Sequence, residues 1–520
     1  MTSTRELRKH IVSFFELNGF TVRGDAGDFL TETLAPLSEQ EREEWLEKIT
    51  DHCQRQSLST AILEKQHLEL AILDSCKNEV EDDDDLLKVI SAFDVPSFYY
   101  DLERKKFLLN RTLRKKELFG NAESKGLMLK DRYTIIHQRT IRNKLFHAYS
   151  GDTNNFKLCP VEFLLSTNSK TENVVLLGLL TQLEEGKYYI EDPSGYIQID
   201  LAETVYHDGL FTESCFVLVE GWYQDRILHV QAMGHPPREN SDVSRVYFGN
   251  VNIFGGPNNE TLRNNERLKR FEHRKDDAMI IFLSEVWLDQ PKVFEKLRIL
   301  FRGYALSPPT AFVLMGNFLK NNKGSSYFVN LKEAFKSLGE LIAQFQQIAA
   351  NSKFIIIPGL TDNPSANILP KPELPEVLLS DLKVHIKNLV SATNPCRIQY
   401  CTQEIIIIRE DIVTKLCRNS IHFSDLKDIG LQFAKTIISQ AHLVPLPLNV
   451  CPIYWELDAS LYLYPCPDLI VVADQQKAFS ANYNNCHVIN PGPFSQSEFS
   501  FKVYYPATKE IEDCQIPPET

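Results

Sequence analysis

Five short, uninterrupted apolar runs in the second half of the chain constrain its fold more than any other feature of the sequence. Each run is four or five residues long and is followed by a polar residue, a proline or a glycine. The runs are Met279 to Leu283, Ala311 to Met315, Phe354 to Ile357, Ile405 to Ile408 and Leu469 to Ala473. Strands without a polar face occur in sheets that are covered on both sides, and helical stretches alternate with these runs. We therefore predict a multi-domain α+β chain in which residues 241–520 form an α/β layer domain.

The other elements of this domain are predicted from periodicity. Its helices are expected around Val293 to Phe301, Leu331 to Phe345 and Phe433 to Gln440, and its last strands near Cys486 to Ile489 and Phe499 to Tyr505.

Residues 151–240 have the period of strands with one buried face. The predicted strands are Val174 to Leu183, Tyr188 to Glu191, Tyr196 to Leu201, Phe216 to Tyr223 and Ile227 to Met233. Asp192-Pro193-Ser194-Gly195, between two of them, has proline and glycine at the positions that a type I turn favours. Five short strands with one longer connection predict a closed β-barrel of the OB type.

Residues 1–76 are predicted to form a small helical domain. A first helix carries an apolar stripe, a second covers Asp25 to Leu34, and Ser38 with Glu41 has the form of a capping box that opens a third. Ser59 is expected to cap a fourth helix. The apolar positions of the first, third and fourth helices are Leu7, Ile11, Phe14, Phe15, then Trp45, Ile49, Cys53, then Leu63, Leu70 and Leu73.

A connector of opposite charges is predicted over residues 77–150. It begins with the acidic run Glu79 to Asp85, which is typical of a solvated spacer. Residues 101–150 then hold 13 basic and 5 acidic side chains. They include a helix with Leu129, Tyr133 and Ile136 on one face, and its last turns carry Arg139, Arg142 and Lys144.

Charge restricts what the chain can bind. The formal net charge is −13, and residues 172–238 hold 11 acidic and 3 basic side chains, whereas a surface that grips DNA is normally basic. We therefore assign the aromatic residues of the barrel to its core and to protein contacts rather than to stacked nucleotides. These residues are Tyr188, Tyr189, Tyr196, Trp222 and Tyr223. For the basic 101–150 segment two alternatives stay open, weak DNA contact or packing against the acidic barrel.

Cysteine usage and hydropathy narrow the class of protein. The 11 cysteines include no C-x-x-C pair, which argues against a disulfide framework or a zinc ribbon. The longest apolar stretch, Val174 to Leu180, is far shorter than the roughly 20 residues of a bilayer span. We expect an intracellular protein without membrane contact.

The ends of the apolar strands are where an open α/β sheet places its chemistry. The order of residues at these ends resembles the calcineurin-like metallophosphoesterases, which bind two metal ions through carboxylates and imidazoles. Trp287 stands where that fold has a histidine and offers no lone pair, and Asn317 lacks the charge of a bridging aspartate. The positions that correspond to the metal site are Glu285, Trp287, Asn317, Asp362, His442, Asp474 and Gln476. We predict no metal, no cofactor and no catalytic residue, because two or three plausible ligands replace a set of about eight. The alternative is a metal-dependent phosphodiesterase or nuclease that retains His442.

Long strings across the chain resemble the B-family accessory subunits of replicative DNA polymerases, specifically those of DNA polymerase epsilon. They are Ser91 to Pro96, Arg132 to Thr140, Phe254 to Pro257, Val286 to Asp289, Thr393 to Cys401, and His442-Leu443 before Pro445 to Pro447.

This resemblance implies a helical domain similar to the lid of AAA+ ATPases, an OB barrel and an inactivated phosphoesterase α/β sandwich. It also implies a nuclear, non-catalytic subunit that binds the cysteine-rich C-terminal region of the catalytic subunit, small histone-fold-type subunits and, through its N-terminal domain, the GINS component of the replicative helicase. Candidate interface residues are Trp287, Asn317, Asn394, Pro395 and Cys396.

Overall fold

A computed structural model of the chain describes most of its residues. They are 4–35, parts of 42–72, and 86–517 with gaps at 111–116, 147–155, 322–323, 325, 363 and 424–427. The chain divides into two compact units, Met1–Leu87 and Lys88–Thr520. Among the described residues, no helix has both the length and the hydropathy needed to cross a bilayer.

The N-terminal unit is built on two amphipathic helices, α1 (Thr4–Leu17) and α2 (Gly24–Leu34). Gly19, with a φ of +84°, follows the end of α1, where a left-handed residue favours glycine. Between the helices, β1 (Thr21–Val22) pairs in parallel with β2 (Ile62–Leu63). Buried side chains form one core: Leu7, Ile11, Phe15, Ala26, Leu30, Leu34, Leu46, Ile49, Cys53, Leu63, Leu68 and Ala71.

The first two predicted helices are confirmed, but the fourth is wrong at its start. Leu63 was expected on a helix and instead lies in β2, because its backbone bonds to the segment that joins α1 and α2. Ser38, Glu41, Ser59, Leu70 and Leu73 lie outside the described residues.

The second unit begins with one strand, one hairpin and one long helix. These are β3 (Leu87–Ser91), the pair β4 (Phe98–Asp101) and β5 (Lys106–Leu109), and α3 (Ala122–Arg142). Asn121 caps α3 by accepting from the Ser124 amide at 2.9 Å.

A closed barrel follows a short helix, α4 (Val161–Leu165). Its strands are β6 (Thr171–Glu184), β7 (Lys187–Asp192), β8 (Gly195–Asp200), β9 (Val205–Tyr206), β11 (Phe216–Gln224) and β12 (Ile227–Gly234). A short strand between β9 and β11, β10 (Phe211–Thr212), belongs to a separate two-stranded sheet. The ladder runs β6–β7–β8–β12–β11 and returns to β6, so the sheet closes on itself. The five predicted strands are confirmed to within three residues at each end.

Two six-stranded sheets form the α/β part. The first sheet contains β13 (Ile280–Ser284), β14 (Ala311–Met315), β15 (Lys353–Ile357), β16 (Leu389–Ser391), β23 (Ser500–Tyr505) and β24 (Glu510–Gln515). The second contains β3, β17 (Cys396–Tyr400), β18 (Gln403–Arg409), β20 (Leu469–Ala473), β21 (Phe479–Tyr483) and β22 (Cys486–Asn490). The strand order is β16-β15-β14-β13-β23-β24 in the first sheet and β21-β22-β20-β18-β17-β3 in the second. Strand β19 (Ser420–His422) pairs with β10.

The helices of this part are α5 (Ser241–Val246), α6 (Glu266–Arg274), α7 (Pro291–Tyr304), α8 (Tyr327–Ile342), α9 (Gln346–Asn351), α10 (Glu376–His385), α11 (Ile412–Asn419) and α12 (Ile429–Ser439). In β13, β14, β15, β18 and β20 every residue but the first of β15 is buried, as the apolar runs predict for sheets covered on both faces. The five core strands are confirmed to within two residues.

Helix α3 contacts both the barrel and the α/β part. Its apolar face packs Leu129, Tyr133 and Ile136 against barrel residues that include Leu177 and Phe216. The helix therefore does lie against the barrel, but through apolar contacts.

The arginines of α3 have their partners in the α/β part and its leading loop. Arg132 pairs with Asp458, and Arg142 donates to Glu239 from Nε and Nη2 at 2.8 and 2.9 Å. Arg139 donates to the carbonyl oxygens of Ile438 and Ser439, where the C-terminal end of α12 favours a cation. These charges are thus compensated by groups other than the acidic residues of the barrel.

Candidate functional site at the strand ends

The carboxyl ends of four core strands meet around the fully buried guanidinium of Arg409. Its Nε donates to the Gly316 carbonyl oxygen at 2.6 Å, and its Nη1 donates to Ala473 O at 3.1 Å and Asp411 Oδ1 at 3.0 Å. Its Nη2 donates to Glu285 Oε1. Burial disfavours the charged form, but Glu285 and Asp411 raise the pKa of Arg409, so the side chain stays a cation.

Glu285 links the arginine to the rim of the site. It is 1% exposed and has a left-handed backbone with a φ of 54°. Its Oε2 accepts from the indole Nε1 of Trp287 at 2.9 Å, and its Oε1 accepts from Asn317 Nδ2 at 3.0 Å. The Asn317 Oδ1 in turn accepts from the amide and hydroxyl of Thr361 at 3.1 and 3.0 Å. Trp287 and Asn317 are half-buried, so this edge of the site reaches solvent.

Asp362 is completely buried and serves the backbone. It accepts from Phe318 N at 3.0 Å, from Gly359 N at 2.8 Å and from the Tyr327 hydroxyl at 2.8 Å. Burial raises the pKa of Asp362, although these donors and Arg409 oppose the shift. The carboxylate thus holds two strand-end loops together.

Asp474 has the same kind of role on the next strand. It accepts from Val413 N at 2.9 Å, from the Thr414 hydroxyl at 3.1 Å and from Gln476 N at 2.9 Å. Burial raises its pKa. The side chain of Gln476 donates to Thr414 Oγ1 at 3.2 Å and contributes no contact to the arginine.

His442 belongs to a different cluster. Its Nδ1 accepts from Val444 N at 3.0 Å, and its Nε2 lies 3.2 Å from Asp458 Oδ1, the carboxylate that also binds Arg132. Burial and the neighbouring Arg132 lower the pKa of His442 to about 4, so the imidazole is neutral at physiological pH. The hydrogen bonds of His442 therefore lie within the α/β part, beside the ion pair by which Arg132 binds Asp458, and not at the strand ends.

The turn Asn394-Pro395-Cys396, predicted as a possible protein interface, is buried. Asn394 Nδ2 donates to Pro358 O at 3.1 Å and to Arg409 O at 2.7 Å, and its Oδ1 accepts from Arg409 N at 3.0 Å. Asn394 and Cys396 have no exposed surface, so their side chains cannot meet a partner without a rearrangement of the loop.

The residues at the strand ends do not fit a two-metal centre. Within the described ranges, no group of three or more His, Cys, Asp or Glu side chains is arranged to hold a metal ion. The oxygen atoms of Glu285, Asp411, Gly316 and Ala473 are bound to the guanidinium instead. The sequence carries a signal for Arg409 that our prediction overlooked, namely a charged residue at the end of the apolar run Ile405 to Ile408.

Comparisons with known proteins agree on one family. The chain matches the family models for the B subunits of DNA polymerases alpha and epsilon over residues 280–481, for the OB-fold domain of proteins like DNA polymerase epsilon subunit 2 over 122–237, and for the N-terminal region of DNA polymerases epsilon over 3–75. It is 45% identical over 519 residues to DNA polymerase epsilon subunit 2 of Bos taurus, with 98% of each chain covered. The corresponding proteins of Homo sapiens and Drosophila melanogaster are 44% and 41% identical, and the alignments cover at least 98% of every chain. The chain therefore belongs to the DNA polymerase epsilon subunit 2 family.

Proposed function

We propose that this protein is a non-catalytic accessory subunit of DNA polymerase epsilon that acts in nuclear DNA replication. Family membership supports the assignment to the polymerase. The observation that carries the non-catalytic part is the closure of the strand ends, where the Arg409 guanidinium binds the oxygen atoms that a reacting centre would need. The α/β architecture then serves as a rigid support for other proteins.

The partner of the barrel and the α/β part is, in this proposal, the cysteine-rich C-terminal region of the catalytic subunit. Half-buried Trp287 and Asn317 offer an aromatic and an amide group at the rim of the strand ends. On the barrel side, Phe163, Leu165 and Tyr196 are each at least 50% exposed. Leu165 packs close to Gly195, beside Tyr196, so these two apolar side chains lie near one another on the kind of surface that protein partners cover.

The N-terminal unit is proposed to bind the GINS component of the replicative helicase. It has its own core of buried apolar side chains and so can carry a partner site of its own. Small histone-fold-type subunits would complete the polymerase assembly, and DNA contact by this chain would be weak or indirect. The lid-like character of the unit is part of this proposal.

The experiment is co-purification of the full chain with the C-terminal region of the catalytic subunit and, separately, with GINS. We expect a chain that lacks residues 1–76 to keep the catalytic subunit and to lose GINS. Failure of the full chain to bind the catalytic subunit would refute the proposal. Loss of the catalytic subunit on the truncation would refute the division of partners.

Trp287→Ala tests the rim directly. We expect it to weaken binding of the catalytic subunit about tenfold or more, since a buried aromatic anchor commonly contributes about 2 kcal/mol to an interface. Leu306→Ala is the matched control, because Leu306 is 99% exposed and lies on the loop after α7. Equal binding by the two variants would remove Trp287 from the interface without touching the assignment to the polymerase.

A further inference from the structure

The surroundings of Arg409 resemble the first coordination sphere of a metal ion more than an ordinary salt bridge. Two carboxylate and two carbonyl oxygen atoms, contributed by or next to the ends of β13, β14, β18 and β20, accept hydrogen bonds from the one guanidinium. Carboxylate and carbonyl oxygens are the ligands that hard divalent cations take in proteins. The positive charge stands at the point where the four chain segments meet.

The guanidinium is also what compensates the two acids. Glu285 has 2% of its side chain exposed and Asp411 has 18%, so both would be costly to leave unpaired. Neighbouring cations are engaged elsewhere: Lys415 pairs with Glu410 at 2.9 Å, and the buried Lys371 donates to Leu360 O at 3.3 Å.

We propose that the Arg409 guanidinium is a built-in substitute for a metal ion at the strand ends, and that its removal turns this place into a site for one divalent cation. The oxygen atoms of Glu285, Asp411, Gly316 and Ala473 would then face a cavity with an excess of negative charge. An ion can reach it, because Asp411 is partly exposed and the rim residues Trp287 and Asn317 are half-buried.

The chain supplies a matched control in Arg397. This arginine is also buried, at 5% exposure, but its guanidinium donates to carbonyl oxygens of Ile253, Phe254, Ala459 and Tyr462 at 3.2–3.4 Å. If Arg397 is removed, the nearby Glu404 still has its own bidentate partner, Arg245. Loss of Arg397 therefore removes a buried guanidinium without leaving a carboxylate unpaired.

The experiment compares thermal unfolding of the full chain, followed on the transition of its larger unit, for wild type, Arg409→Ala and Arg397→Ala. Each protein is measured once with a chelator and once with about 5–10 mM of Mn²⁺, Mg²⁺ or Ca²⁺. This concentration is on the order of a thousand times the Kd of a site that binds the ion at micromolar concentration. We expect both variants to lose about 3–6 °C. Only Arg409→Ala should regain roughly 3 °C or more with a divalent cation, since that ion binds the folded state alone. Absence of that gain, or an equal gain in wild type or in Arg397→Ala, would overturn the proposal.

A second pair of variants covers the case in which Arg409→Ala does not fold. Arg409→Met leaves Glu285 and Asp411 unpaired, whereas Glu285→Gln with Arg409→Met removes the charges of Arg409 and Glu285 and leaves only the partly exposed Asp411. We expect the double variant to be soluble and more stable than Arg409→Met, and to ignore divalent cations. If the double variant is as unstable as the single one, the guanidinium acts through packing and the proposal fails.

Discussion

The ion pair between Arg132 and Asp458 offers the sharpest test of how this chain is held together. It connects α3 to the 3₁₀ helix Trp455–Leu461 before β20 and is bidentate, with Nε–Oδ2 at 2.8 Å and Nη2–Oδ1 at 2.5 Å. The two side chains are only 6% and 4% exposed. The perturbation is Arg132→Met, which keeps most of the volume and removes the charge.

The expected loss is about 3–5 kcal/mol in the free energy of unfolding of the larger unit, because the variant leaves a buried carboxylate without the cation that compensates its charge. Burial alone would raise the pKa of Asp458, but Arg132, with His442, holds it well below its ordinary value. The stabilisation by Arg132 is therefore fully present at neutral pH and is lost as the pH falls through the ordinary Asp value of about 4 and below. The deficit of Arg132→Met should shrink accordingly on acidification.

The assay is urea unfolding at pH 7 and at about pH 3.5, below the ordinary Asp pKa, with Arg132→Met, Asp458→Asn and the double variant compared in a cycle. The double variant should be more stable than the sum of the single losses implies, by about 2 kcal/mol or more. Lys383→Met is the control, since the Lys383–Glu376 pair is exposed and its loss should leave the midpoint unchanged. A loss below about 1 kcal/mol for Arg132→Met, or strict additivity, would refute the reasoning.

Two further predictions follow from the same contacts. The pKa of His442 is about 4 in the folded chain and near 6.5 in an unfolded one, so the free energy of unfolding should fall by about 3 kcal/mol as the pH falls from 6.5 to 4. His442→Gln should remove that part of the pH dependence. The prediction is contradicted if the free energy of unfolding of His442→Gln depends on pH as it does in wild type. Since Arg139 and Arg142 bond to groups within the protein, Arg139→Glu with Arg142→Glu should lower the thermal midpoint of unfolding. For the same reason the full chain should bind duplex DNA weakly and with a steep dependence on salt. Submicromolar binding in fluorescence anisotropy at physiological salt would be inconsistent with this.

The elements that the sequence predicted well are those with local signals. The five core strands of the α/β part are visible because an apolar run between polar segments has few alternatives. The barrel strands are visible because turns such as Asp192 to Gly195 fix where each one ends. Both sets depend on neighbours within about ten residues.

What the sequence could not supply is which distant groups meet. Arg409 is 124 residues from Glu285, and only the order of strands brings them into contact. His442 was grouped with the strand ends because it matches the lone histidine of the metallophosphoesterase site, yet its ring bonds to Asp458 instead. Leu63 fits a helical stripe as well as it fits β2, so its pattern alone could not decide between the two.

The double contact of α3 has a mechanical consequence. One face of this helix packs against the barrel through Ile136 and its neighbours. Three arginines on other faces bond to the α/β part and its leading loop. Rotation of the barrel relative to the sheets would separate these buried charges from their partners. The barrel and the sheets should therefore move as one rigid body. A partner protein that binds both the barrel and the sheets would thus meet two binding surfaces at a fixed distance and orientation. Its binding would lose little entropy from ordering one surface relative to the other.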